Sequence, residues 1–97
     1  MARRSNEQTL EEVINDLLRV YRLEGRMVEL DVVEAWRDVM GPSVVKRTTE
    51  VRLRDGVLSI YLNSAVLKEE FSYQKQRIVD LLNNHMKREV IKHVEIY

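Results

Sequence analysis

Apolar residues in the first quarter of the chain recur at steps of three and four. Leu10, Val13, Ile14, Leu17, Leu18 and Tyr21 therefore share one face of a helix. Two capping boxes, Ser5-Asn6-Glu7-Gln8 and Thr9-Leu10-Glu11-Glu12, place its start between Asn6 and Leu10. Its expected end is Gly25. Core packing is the simpler reading of this stripe, and a docking surface for a partner helix is the alternative. A second helix is expected over about Met27 to Met40, with Val28, Val32, Ala35, Trp36, Val39 and Met40 on a wide apolar arc. Asp31, Glu34, Arg37 and Asp38 lie opposite. Gly41 suits a left-handed C-terminal cap, and Pro42 prevents the helix from continuing unchanged. Ser43 to Arg47 has room for one further short turn.

The period then changes to two. From Thr48 to Arg54, Thr49, Val51 and Leu53 face one way while Glu50, Arg52 and Arg54 face the other, as in a half-buried strand. Asp55-Gly56 is a strong hairpin signal, because a type I′ turn needs positive φ at both central residues. In the returning strand Leu58, Ile60 and Leu62 point inward, leaving Ser59 and Tyr61 outward. Asn63 or Ser64 caps a long helix reaching about Met86, which buries Leu67, Phe71, Ile78, Leu81 and Leu82. Gln74 interrupts that stripe, so the helix either bends or divides near residues 72–75. Val90 to Tyr97, alternating through Val94 and Ile96, reads as a third strand. The elements give an α+β fold in the order α-α-β-β-α-β: a three-stranded sheet with helices on one face. The opposite face would carry Arg52, Arg54, Ser59, Tyr61, His93 and Tyr97.

A chain of 97 residues organises a single core, so one domain is expected over residues 1–97, with residues 1–8 a flexible N-terminus. Sixteen basic and sixteen acidic side chains cancel, which removes any overall bias toward polyanions. Their placement is uneven: residues 1–45 hold six Lys/Arg against nine Asp/Glu, and residues 46–97 hold ten against seven. The absence of cysteine excludes disulfides and thiolate metal sites and is compatible with a cytoplasmic address. No apolar stretch approaches the roughly 20 residues that span a bilayer, and the basic N-terminus lacks a signal-peptide core.

Little in the sequence suggests catalysis. His85 and His93 do not form a metal-ligand spacing, and glycines only at 25, 41 and 56 leave no phosphate-cradling loop. Glu11-Glu12 and Glu69-Glu70 are helical neighbours pointing about 100° apart, unable to share a substrate. No cofactor is implied. The densest basic cluster is Lys46, Arg47, Arg52 and Arg54, four cations against Glu50 within nine residues. Arg52 and Arg54 share a strand face beside outward Tyr61. Cations for phosphates next to a ring on which a base can stack are what single-stranded nucleic acid binding requires. The competing reading is a charged, solvated sheet face.

Several segments taken together resemble the DciA-like family of small bacterial proteins. They are Leu10 to Leu18, Val33-Glu34-Ala35-Trp36-Arg37-Asp38-Val39-Met40-Gly41, Asp55 to Glu70 through Asn63-Ser64-Ala65, Leu81-Leu82-Asn83, and Val90. The resemblance implies a KH-like domain that binds DNA, particularly single strands, and the DnaB-type replicative helicase, helping to load it. Trp36 and Gly41 carry over as a core aromatic and a helix stop. The GXXG loop by which KH domains clamp the backbone is absent, so any contact with nucleic acid uses another surface. The expectation is a non-enzymatic adaptor of DNA replication, with Lys46, Arg47, Arg52, Arg54 and Tyr61 at the interface. The alternatives are a protein-interaction module without nucleic-acid contact and a small RNA-binding protein.

Overall fold

The structure is a computed structural model and describes residues 9–97. The Ser5 capping box and the flexible N-terminus expected over residues 1–8 lie outside the described residues. Helix α1 (Leu10–Met40) leads through Gly41 into the one-turn α2 (Pro42–Arg47), then β1 (Thr48–Arg54) and β2 (Val57–Leu62). Helices α3 (Ala65–Ser72) and α4 (Lys75–Met86) precede β3 (His93–Ile96). The sheet order is β1-β2-β3, antiparallel between the first two and parallel between β2 and β3. The α+β class and the order of elements expected from the sequence hold, with the long third helix divided at residues 73–74, where the polar Gln74 interrupts its stripe.

Local chemistry accounts for four of the boundaries. Thr9 Oγ1 accepts from the Glu12 amide at 3.1 Å, the capping interaction anticipated there. Ser64, not Asn63, caps α3 through the Leu67 amide at 3.3 Å. Asp55 and Gly56 take φ of 53° and 81°, as a type I′ turn demands. Gly41 does stop α1, but with φ 80° and ψ 174° it is not the left-handed cap expected. That region is open essentially to glycine alone, and it swings the chain directly into α2.

Other expectations are corrected. The helix boundary at Gly25 does not exist, and α1 runs unbroken for 31 residues. A lone glycine costs a helix about 1 kcal/mol relative to alanine but does not stop it without a cap or a proline. The stripe Leu10 to Tyr21 is not core: every residue from Leu10 to Met27 is exposed. Thr49 does not face inward. Pairing shifts between Thr48↔Leu62 and Glu50↔Tyr61, so a bulge turns Thr48 inward and Thr49 out. Leu81 is exposed while Val79 is buried, because the break before α4 resets the phase of its apolar face.

The core joins Val32, Ala35 and Trp36 of α1 to Leu58, Ile60 and Leu62 of β2, Ile91 and Val94 beside and on β3, and Ile78, Val79 and Leu82 of α4. Trp36, 1% exposed, meets Phe71 edge-on with centroids 5.9 Å apart. Its Nε1 donates to Thr48 Oγ1 at 3.1 Å, and that hydroxyl donates to Val44 O at 2.8 Å. The strand expected from Val90 begins only at His93. Before it, Asn83 holds Ile91 by both backbone groups, donating to its carbonyl at 2.8 Å and accepting from its amide at 3.0 Å.

Candidate nucleic-acid interface

With the helices on one side, the sheet's other face carries three rows of side chains fixed by the strand register. One row is Arg54, Val57 and His93, and the next is Arg52, Ser59 and Glu95. The third is Glu50 and Tyr61, extended by Tyr97, whose amide bonds to Ile60 O at 2.8 Å and whose carbonyl accepts from Leu62 N at 2.8 Å. Alternation alone puts these residues outward, since their neighbours Leu53, Leu58, Ile60 and Val94 turn toward the helices.

The face combines two kinds of chemistry. Tyr61 and Tyr97 stack with centroids 5.0 Å apart and planes inclined by 21°. Tyr97 remains 52% exposed, so the pair presents an aromatic platform to solvent. The charges are partly matched: Arg52 meets Glu50 at 3.3 Å and Glu95 meets Lys75 at 3.4 Å. Both pairs are about half exposed and therefore weak and easily exchanged for another partner. Arg54 is exposed and makes no ion pair among the described residues.

Of the five residues singled out from the sequence, Arg52, Arg54 and Tyr61 share this face. Lys46 and Arg47 do not join them. Both are exposed at the end of α2, and the length of β1 puts Arg47 roughly 20 Å from Arg54. The compact cluster anticipated from the sequence is thus an extended series of cations along β1. Three further residues contribute, and sequence reasoning gave Arg22 and Arg26 no part in the surface. Tyr97, expected on this face, stacks on Tyr61 because the parallel register of β2 and β3 sets the two side by side. Arg22 and Arg26 of α1 line a groove with Arg52 and Arg54 at the hairpin end of β1, a long-range approach with no local signal. There Glu29 accepts from the Leu53 amide at 2.9 Å, satisfying a donor on the free edge of β1 and holding α1 along that edge.

No group of side chains suited to a metal ion occurs among the described residues. His85 lies 3.3 Å from Asp38 across α4 and α1, and His93 stands on the open face. No helix among the described residues is long and apolar enough to cross a membrane. Compared with known families, residues 9–96 match the one described as Dna[CI] antecedent, DciA. No curated protein and no solved structure matches the chain.

Proposed function

This chain belongs to the DciA family, which is associated with loading of the replicative helicase in bacterial replication, and from that premise we propose that it is a non-enzymatic cytoplasmic adaptor that contacts single-stranded DNA through its open sheet face. The observation that carries the proposal is the outward-facing stack of half-buried Tyr61 on exposed Tyr97, on the face that carries Arg52 and Arg54. Rings offer stacking to any base, and the guanidinium groups neutralise phosphates without reading sequence. Arg22 and Arg26 extend the positive surface along the groove, while Lys46 and Arg47 lie on the far side of the tyrosines. The replicative helicase is the protein partner, and no small-molecule substrate is involved.

Fluorescence anisotropy with a single-stranded oligonucleotide tests this reading. Arg52→Glu with Arg54→Glu is expected to weaken binding at least tenfold, and Tyr61→Ala by roughly the 1–3 kcal/mol of one base stack. Unchanged affinity in both variants sinks it.

A second reading is favoured by the balance of charge on the face, where Glu50 and Glu95 offset Arg52 and Lys75. In that reading the face holds a protein and makes no contact with DNA. Helicase retention by a parent chain that binds neither DNA nor RNA would select it. Tighter binding to RNA than to DNA of matched sequence would instead assign the face to RNA.

A further inference from the structure

The largest feature that this function leaves unexplained is the first half of α1. From Leu10 to Met27 no residue is buried, and the molecule measures 65 Å along its longest axis against 24 and 21 Å across. The apolar stripe of this arm continues the face that buries Val32, Ala35 and Trp36 further along. Leu10 is 75% exposed, Leu17 64% and Tyr21 73%. A row of this length open to water is a hallmark of an interaction surface. A helix of this length unsupported by packing is also only marginally stable.

We propose that residues 10–23 of this arm pair antiparallel with the same segment of a second copy of the chain, around a two-fold axis between Asp16 and Leu17. The charges select this occupant. At about 100° per residue, Glu11 and Arg22 lie about 100° and 120° round from Leu10, on the same flank of the stripe. They are roughly 16 Å apart along the helix, with opposite signs at its two ends. Neither has an ion-pair partner among the described residues. An antiparallel pairing sets Glu11 of each copy against Arg22 of the other, twice, as an isologous interface requires. A parallel pairing turns this flank toward the one carrying Val13, Val20 and Glu24 and leaves Glu11 unanswered.

The apolar positions obey the same symmetry. Leu17 of the two copies meet beside the axis, Ile14 packs between Leu18 and Tyr21 of the second copy, and Leu10 lies just beyond Tyr21 of that copy at the end of the pairing. The second arm therefore ends before Val28, where α1 enters the core. So short a helical interface implies a dissociation constant in roughly the micromolar range.

Sedimentation velocity of the chain from about 1 to 500 µM brackets that affinity. A monomer–dimer equilibrium is expected in that span. Ile14→Glu with Leu17→Glu should abolish the dimer while Trp36 fluorescence and circular dichroism report an intact domain. Glu11→Arg alone and Arg22→Glu alone should each weaken it roughly tenfold, since each replaces two attractive pairs by two repulsive ones. Mixing those two variants should restore association, because the heterodimer again pairs opposite charges at both ends. The chain has no cysteine of its own, so Leu17→Cys should crosslink two copies rapidly and Leu10→Cys slowly. A chain that stays monomeric throughout, leaving the stripe to another protein or to an arm folded back at Gly25, overturns the proposal. So does a dimer indifferent to Ile14→Glu with Leu17→Glu, failure of the mixed variants to associate, or faster crosslinking through residue 10.

Discussion

Gly41 and Asn83 each do a job that no neighbour can take over. Gly41 sits at φ 80° and ψ 174°, with its amide bonded to Arg37 O and its carbonyl accepting from Val45 N. A Cβ there meets nothing within 4 Å, so the demand is conformational and not steric. Gly41→Ala is expected to cost about 1–3 kcal/mol, read as a lower urea midpoint with an unchanged slope. Asn83 offers Ile91 the donor and acceptor that a neighbouring strand would have supplied. Asn83→Ala leaves a part-buried amide and carbonyl without partners and should destabilise by roughly 1–3 kcal/mol, while Asn83→Asp restores only the accepting half. Both residues are small and polar or featureless in the sequence. The sequence marked Gly41 because a proline follows a helical stripe, but nothing local distinguished Asn83 from Asn84.

Helix α1 consists of two halves with different thermodynamics. Residues 28–40 are held by the core, whereas residues 10–27 make no buried contact. Amides 14–26 should therefore exchange with deuterium well before amides 32–40 when the chain is dilute. Gly25 lies in the exposed half, and a Cβ there also meets nothing within 4 Å. Gly25→Ala is expected to increase helicity at 222 nm and to stabilise the arm by about 0.5–1 kcal/mol, with little change in the unfolding of the core. The helix was legible in the sequence because its apolar period persists from Leu10 to Val39. Its continuity was not, because a glycine within a helix and a glycine between two helices look alike until packing shows what surrounds them. The bulge at Thr49 was hidden for a related reason: it depends on pairing with β2, and Thr48 turns inward to accept from Trp36.

Assembly of the domain fixes where charge and aromatic surface meet. Arg22 and Arg26 reach Arg52 and Arg54 only because α1 lies along the edge of β1, held there by Glu29. For single-stranded DNA, each phosphate neutralised contributes a slope of about −0.7 to the logarithm of affinity against the logarithm of salt. Arg52→Gln with Arg54→Gln should flatten that slope by roughly 1.4, and adding Arg22→Gln with Arg26→Gln should flatten it further by a similar amount. A slope that ignores the second pair would confine binding to the sheet face.

Alternation and turn chemistry were enough to place the elements, the inward Leu58-Ile60-Leu62 row, the outward Arg52, Arg54 and Tyr61, and the type I′ turn, since each follows from contacts between residues close in the chain. The destination of the Leu10–Tyr21 stripe, the stacking of Tyr61 on Tyr97, and the approach of Arg22 and Arg26 to β1 arise between residues more than twenty positions apart. An amphipathic helix carries the same periodicity whether its apolar face is covered by its own domain or left open. What covers it depends on how far the core extends, and here the core ends at Val28.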